Sequence, residues 1–371
     1  MRLLSPFGIL PVGRVLRGFT RRSKGDTLKF ANKKGGETMS RQAVLELLRQ
    51  QEGGFVSGEE ISRHLGLSRA AVWKAVDALR RQGYIVEART GLGYRLLEAP
   101  DALTEPEIRR FLQPTEVVGR RLVCLSEVDS TNTRAKELAM TGEPEGLVVV
   151  ADCQTAGRGR MGRSFQSPSG KGVYLSVLLR PQLPPERLMS ITAMAGVAVC
   201  GAVEAVCGLS PGLKWPNDPV LNGRKLCGIL TELSLEAETG SLQYLVVGIG
   251  INVLQTPEDF SPEVAAIATS LAEELGKPVS RPALAAALIA RLDQLRAVLA
   301  SGCVESYWEE YRSRCVNLGK RVRLLSSAGE ERGEAIDVDR DFGLIVRKDD
   351  GTVSTVRSGE VSVRGLYGYT E

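Results

Sequence analysis

Apolar and polar positions alternate with three different textures along this chain, and each predicts a different kind of element. Over residues 41–50, Val44, Leu45, Leu47 and Leu48 share one face at helical spacing, which predicts a first helix. Ser57 supplies an N-cap oxygen for a second, with Glu59 and Glu60 in its first turn, Ile61 and Leu65 buried, and Gly66 ending it. Ser68 caps a third over residues 69–82, in which Val72, Val76 and Leu79 face inward and Arg69, Lys74, Arg80 and Arg81 outward. Trp73 is expected to be partly core. After Gly83, the alternating runs 84–88 and 93–96, joined by Arg89-Thr90-Gly91, predict a β-hairpin. Short gaps between helices followed by a hairpin predict a winged helix-turn-helix over residues 40–98. Such a unit sets its third helix in the major groove and its wing on the backbone, so Arg69, Lys74, Arg80, Arg81 and Arg89 are the candidate DNA-binding residues. A unit used only for protein contact would share the pattern.

Ala99-Pro100-Asp101 begins a linker, and residues 103–111 predict another helix. The second texture runs from 120 to 313, where the strands 122–125, 147–153, 172–179 and 244–252 alternate with Ala- and Leu-rich helices at 190–207 and 281–299. That order predicts a mixed α/β domain rather than a repeating βαβ unit. From residue 316 the texture changes to short strands at 321–325, 332–338, 343–347 and 352–357, and a small β-barrel is the simplest reading. The expected division is therefore α+β and multidomain: a basic extension over 1–39, a head over 40–98, a catalytic domain over 101–316 and a barrel over 317–371.

Charge changes this picture at the N-terminus. Nine Lys and Arg precede Met39 against two acids, so with a total of +4 the rest of the chain is slightly acidic, about −3. The pI of 8.6 thus belongs to the extension, and the total gives no argument for nucleic-acid binding. The extension reads as an over-long start with Met39 as the first residue, as a basic arm on DNA phosphates, or as a transit-like segment. Apolar runs such as 146–151 are too short to cross a bilayer, so no membrane partner is expected. The cysteines, Cys124, Cys153, Cys200, Cys207, Cys227, Cys303 and Cys315, form an odd set without a C-x-x-C pair, which reads as reduced thiols in the cytoplasm. With His64 as the one histidine, no metal site is expected.

Two stretches carry chemistry. Gln154-Thr155-Ala156 leads from a strand into Gly157-Arg158-Gly159-Arg160-Met161-Gly162-Arg163, where glycines let the backbone approach a ligand and arginines surround it. Such a loop suits a multiply charged anion, and self-repulsion is expected to keep it mobile when empty. The spacing fits neither a P-loop, broken at Phe165 and Gly172, nor a dinucleotide fingerprint, which lacks its third glycine at Val253. A solvated or RNA-binding segment is the blander alternative. The second stretch is Lys214-Trp215-Pro216-Asn217-Asp218, followed by 223–230. Lys214 closes a hydrophobic run ahead of a turn, where a fixed ammonium group can meet a developing phosphoryl or carboxylate oxygen.

Together with Ser130-Thr131-Asn132 and Gly248-Ile249-Gly250-Ile251-Asn252, these stretches resemble the biotin protein ligase family from Ser40 onward. The winged head is similar to that of its bifunctional members, the biotin operon repressors. The resemblance implies a central domain like that of class II aminoacyl-tRNA synthetases and an SH3-like barrel. It also implies ATP, Mg2+ and biotin as the small molecules. Biotin and ATP would give biotinyl-5′-AMP, from which biotin passes to a lysine of a biotin carboxyl carrier protein, a subunit of acetyl-CoA carboxylase. The adenylate-bound form would dimerise and occupy operator DNA. By the same resemblance, Ser130, Thr131, Asn132 and Gln154 hold biotin, and Arg158, Gly159 and Arg160 close over its tail and the phosphate. Lys214 meets the carboxylate being activated, with Arg160 as its catalytic partner, and Arg158, Arg160, Arg163, Asn217 and Asn252 face the nucleotide. Phe165 stands where the family has tryptophan. A non-catalytic biotin-sensing repressor and a lipoate-type ligase are the alternative readings.

Overall fold

The computed structural model describes residues 33–181, 188–236, 238, 240–326, 329–357, 362–365 and 369–370, so most of the basic extension lies outside the described residues. Contacts divide the chain into two compact units, Met1–Ala99 and Pro100–Glu371.

The first unit is built from α1 (Lys33–Gln50), α2 (Gly58–Leu65), α3 (Arg69–Arg81), β1 (Ile85–Arg89) and β2 (Gly93–Glu98). Helix α1 starts earlier than the periodicity predicts and runs through Met39 without a break. The Ser57 and Ser68 hydroxyls accept from the amides of Glu60 and Ala71 at 3.0 and 3.1 Å, which satisfies orphan donors at both helix starts. Val44, Leu48, Ile61, Val76 and Leu79 form the small core. Strands β1 and β2 pair antiparallel, and Val56 bridges to Tyr94. Gly93 is required at this joint: its φ is 103°, and a Cβ there would lie 2.1 Å from the Val56 carbonyl oxygen. Trp73 corrects the reading of a partly core aromatic, because it is 57% exposed.

The second unit begins with α4 (Glu105–Phe111), followed by β3 (Leu122–Leu125), α5 (Thr131–Met140), β4 (Val148–Ala151), β5 (Gly172–Leu179) and α6 (Leu188–Cys207). Three short strands come next, β6 (Gly212–Lys214), β7 (Asp218–Leu221) and β8 (Arg224–Lys225), and then the long β9 (Cys227–Leu235) and β10 (Leu242–Asn252). The central sheet runs β3-β4-β5-β10-β9, with β3 and β4 parallel and the other pairs antiparallel. After β10 the chain forms α7 (Pro262–Ala265), α8 (Leu271–Leu275), α9 (Arg281–Ser301) and α10 (Glu305–Arg314). Helix α5 packs on β4, β5 and β10, while α6 and α9 pack on each other and on β9 and β5. Strands β5 and β10 are buried almost throughout, which is why they read as near-continuous apolar runs. The apolar stretch Ser190–Cys207 has the length and composition of a membrane span, unlike the shorter 146–151 run that the sequence brings forward; most of it is buried in the core of this unit.

The chain ends in a second five-stranded sheet, ordered β14-β13-β12-β11-β15, made of β11 (Arg321–Ser326), β12 (Gly329–Val338), β13 (Leu344–Lys348), β14 (Val353–Val356) and β15 (Ser362–Gly365). All its pairs are antiparallel, in keeping with an SH3-like barrel. Val322, Leu324, Phe342, Leu344 and Val346 belong to one apolar cluster with the central sheet. The link runs through Trp215, fully buried, whose indole N–H donates to the Phe342 carbonyl at 2.9 Å and whose amide donates to Asn317 Oδ1 at 2.7 Å.

Candidate functional site

Ser130, Thr131 and Asn132 are buried at the start of α5. The amide and hydroxyl of Thr131 donate to Gln154 Oε1 at 2.9 and 3.1 Å, and Gln154 Nε2 donates to Ser167 Oγ at 2.8 Å. The Asn132 amide donates to Glu232 at 2.8 Å and to the Leu230 carbonyl at 3.3 Å, while its oxygen accepts from Ser176 at 2.6 Å. Ser176, a buried hydroxyl inside β5, pairs in register with Gly248 of β10. A Cβ on Gly248 would lie 2.1 Å from Asn132 Oδ1, so that glycine makes room for the asparagine. Gly250 does the same for Phe165, whose ring would be 2.4 Å from a Cβ there. Ser130, Thr131, Asn132, Gln154, Gly248 and Gly250 line a narrow recess, and Phe165 is shared between it and a larger cavity beside it.

The arginine loop closes on itself as a hairpin. The Gly157 carbonyl accepts from the Phe165 amide at 2.8 Å, Arg158 bridges Ser164, and the Gly159 amide donates to the Arg163 carbonyl at 2.7 Å, around a turn of 3₁₀ helix over Arg160–Gly162. The loop answers self-repulsion by spreading its charges. Arg158 donates to Thr133 Oγ1 at 2.5 Å and lies 3.9 Å from Glu232, Arg160 donates to Asn217 Oδ1 at 2.9 Å, and Arg163 is exposed. These contacts offset part of the repulsion among the three arginines. Burial would raise the Glu232 carboxyl, but hydrogen bonds from Lys136 and Asn132, with the charges of Lys136 and Arg158, hold it below its usual range.

The larger cavity has a volume of about 380 Å³. Arg158, Gly159, Arg160 and Arg163 form one side, and Lys214, Asn217, Asp218, Lys225 and Asn252 form the floor. Phe260, Val264, Ile267 and Ala268 form an apolar wall. Lys214 is only 4% exposed at the end of β6. Asn217 donates to the Ile229 carbonyl at 2.7 Å, and Asn252 to the Thr269 carbonyl at 3.0 Å, so both side chains are fixed from behind. Asp218 accepts from Lys225 at 2.6 Å and from the Tyr369 hydroxyl. Burial pushes the Asp218 carboxyl up, yet the charges of Lys225 and Lys214 and these two hydrogen bonds bring it below its usual value. For Arg160, burial dominates and lowers its pKa, with Asp218 opposing. Three cations therefore surround one ionised carboxylate, a local excess of positive charge that an anion would balance.

Every candidate ligase residue thus lines the recess or the cavity. Sequence reasoning missed Ser176, Glu232, the apolar wall and Tyr369, and among them only Glu232 carried a signal, as a lone acid in the apolar run of β9. Among the described residues no group of three or more His, Cys, Asp and Glu comes together.

On the head, Arg69 pairs with Glu59 at 2.7 Å, Arg81 with Asp77 at 3.0 Å and Arg89 with Glu87 at 3.7 Å, and Lys74 is exposed on α3. Arg80, exposed like the others of the expected set, differs from them in its partner. Its guanidinium donates to the Val86 carbonyl at 2.7 and 3.1 Å, because the last turn of α3 meets the start of β1, so it ties the wing to the helix.

Comparisons with known proteins find a match for each of three stretches of the chain. Residues 40–95 match an HTH domain, residues 125–252 the Biotin/lipoate A/B protein ligase family, and residues 318–364 the Biotin protein ligase C terminal domain. The chain is 38% identical to the bifunctional ligase/repressor BirA of Bacillus subtilis (strain 168), over 87% of this chain and 98% of that protein. It is 31% identical to that of Escherichia coli (strain K12), over 84% and 94% respectively. Among solved structures it is similar to the biotin protein ligase from Aquifex aeolicus in complex with biotin and ATP, with 32% identity, a TM-score of 0.57, and coverage of 66% of this chain and 99% of that one. The similarity spans head, sheet and barrel alike, and the chain belongs to the bifunctional ligase/repressor branch of the biotin protein ligase family.

Proposed function

We propose that this chain is a biotin–[biotin carboxyl carrier protein] ligase and a biotin-responsive repressor, and that the excess positive charge around Asp218 is what drives its chemistry. The observation that carries the reading is the buried Lys214 with the half-buried Lys225 and Arg160, all facing one cavity with a single carboxylate. Biotin enters the recess of Ser130, Thr131, Asn132 and Gln154, with its carboxylate pointing to Lys214. A carboxylate oxygen attacks the α-phosphorus of ATP, the bond to the β-phosphate breaks, and pyrophosphate leaves. Lys214 and Arg160 stabilise the charge on the entering and leaving oxygens. Arg158, Arg163, Asn217 and Asn252 hold the nucleotide, and the apolar wall accepts its base. The ε-amine of a carrier lysine then attacks the acyl carbon, AMP leaves, and the amine proton goes to solvent.

No side-chain nucleophile takes part. Burial pushes the Cys227 thiol behind the cavity well above its usual value, away from the thiolate form. We assign Mg2+ to the phosphates of ATP, whose charge it would neutralise. We assign catalysis to residues 101–316 and the barrel to 317–371, within a cytoplasmic protein. Repression follows when the adenylate-bound chain dimerises and its two heads hold operator half-sites through Arg69, Lys74, Arg81 and Arg89.

The test is incubation with ATP, biotin and an isolated biotin carrier domain, read by intact mass and by pyrophosphate exchange. Biotin-dependent exchange with one biotin added to the carrier is the expected result. Binding of biotin and ATP without exchange would reduce the chain to a sensor, and exchange with lipoate instead would make it a lipoate-type ligase.

A further inference from the structure

Tyr369 lies beyond residue 364, where the match to the C-terminal family ends, yet it lines the catalytic cavity. Its ring faces the Lys214 ammonium, with Nζ 4.4 Å from the ring centroid, and its hydroxyl donates to Asp218. The next residue is pinned on both sides. The Thr370 hydroxyl donates to the Gly223 carbonyl at 3.3 Å, in the turn between β7 and β8, and Lys320 Nζ donates to the Thr370 carbonyl at 3.3 Å. Thr370 is buried at this contact, and Gly223, with φ of 74°, leaves its hydroxyl 3.0 Å from where a Cβ would stand. Tyr369 and Thr370 are thus held to Lys214, Asp218 and the β7–β8 turn on one side and to Lys320, just before β11, on the other.

We propose that Tyr369 is a positioning residue for adenylation: the negative face of its ring fixes the Lys214 ammonium where the biotin carboxylate is activated. The inference rests on the ligase reading above and adds to it a residue outside the family match. A lysine side chain has four rotatable bonds, and a point charge on such a stem needs a fixed partner to be preorganised. The charge of Asp218, which also takes Lys225, acts on Lys214 beside the ring. An aromatic face directs an ammonium group without neutralising it, leaving its full charge for the substrate.

The test compares Tyr369→Phe, Tyr369→Leu and Tyr369→Ala in the full-length chain. Tyr369→Phe is expected to keep most of the adenylation kcat, because the ring remains. Tyr369→Leu, which keeps apolar volume without a ring, and Tyr369→Ala should each lose about tenfold in kcat, with a smaller change in KM for biotin. Equal activity of the Leu and Phe variants overturns the proposal, as does equal loss in Phe and Ala, or a gain of activity in Ala. A readout independent of catalysis is the proton shift of the Lys214 ε-methylene in chain labelled at lysine. An upfield ring-current shift, lost in Tyr369→Leu, is expected; a wild-type shift at the ordinary lysine position overturns the placement. If the shift is present and pyrophosphate exchange is absent in the wild type, the ligase reading fails and the contact stands.

Discussion

The head and the ligase pocket hold their positive charges in opposite ways. On the head, Arg69 and its partner Glu59 are 75% and 71% exposed, and Arg81 is 73% exposed beside Asp77. Such ion pairs in water contribute about 0–1 kcal/mol, so each arginine can exchange its carboxylate for a DNA phosphate at small cost. In the pocket, Lys214 is almost fully buried and Asp218 is ionised because Lys225, Lys214 and Tyr369 converge on it. Those charges cannot turn away when a substrate is missing. The contrast teaches that a count of basic residues says little about chemistry: the excess that matters in the pocket is three side chains, while the pI is set elsewhere in the chain.

The largest effect that would test the contrast is in the pocket. Lys214→Ala should cost about 2.7–4 kcal/mol in the adenylation barrier, by analogy with removal of one preorganised oxyanion donor. Pyrophosphate exchange measures it, and the loss should be the same at low and high salt, since a buried charge is screened little. A loss that shrinks as salt rises would mean that the pocket is as open as the head. Next in size is Arg160→Gly, which removes the bond to Asn217 that closes the loop. A hydrogen bond to a charged group is worth about 1.5–3 kcal/mol, so release of the adenylate should accelerate by roughly tenfold to a hundredfold. Trapping of labelled adenylate on a filter would show it, and unchanged retention would remove the loop from the role of a lid.

How far each region was legible follows from the same difference. The head could be read almost residue by residue, because its determinants are local: Ser57 and Ser68 cap their helices, and the apolar spacing names the core. Trp73 was misread although the signal was present. It shares its helix face with Asp77 and Arg80, not with Val72 and Val76, and that places it in solvent. The Ser190–Cys207 stretch was read as a helix, but its membrane-like length went unremarked, since burial between a sheet and α9 depends on contacts far along the chain. In the pocket, the motifs that are contiguous in sequence were legible and the single residues were not. Ser176 matters because strand register sets it opposite Gly248, and Tyr369 because the chain end returns to β6 and β7. Neither fact is written in local spacing.

The smallest effects separate charge from structure within the head itself. Lys74 is exposed on α3, whereas Arg80 spends its guanidinium on the Val86 carbonyl. Removing a phosphate contact should lower the slope of log affinity against log salt by about 1, and Lys74→Ala is expected to do this with an unchanged Tm. Arg80→Ala should instead leave the slope near its wild-type value and destabilise the head by about 1 kcal/mol, a Tm decrease of roughly 4–8 °C for a domain of this size. Operator titrations at several salt concentrations, paired with calorimetry of the full chain, would read both quantities. The two variants remove the same formal charge from the same helix, so any difference between them isolates where the charge is held. If Arg80→Ala changes the salt slope as much as Lys74→Ala does, the guanidinium leaves Val86 when DNA arrives, and the head moves its charges more freely than the paired structure implies.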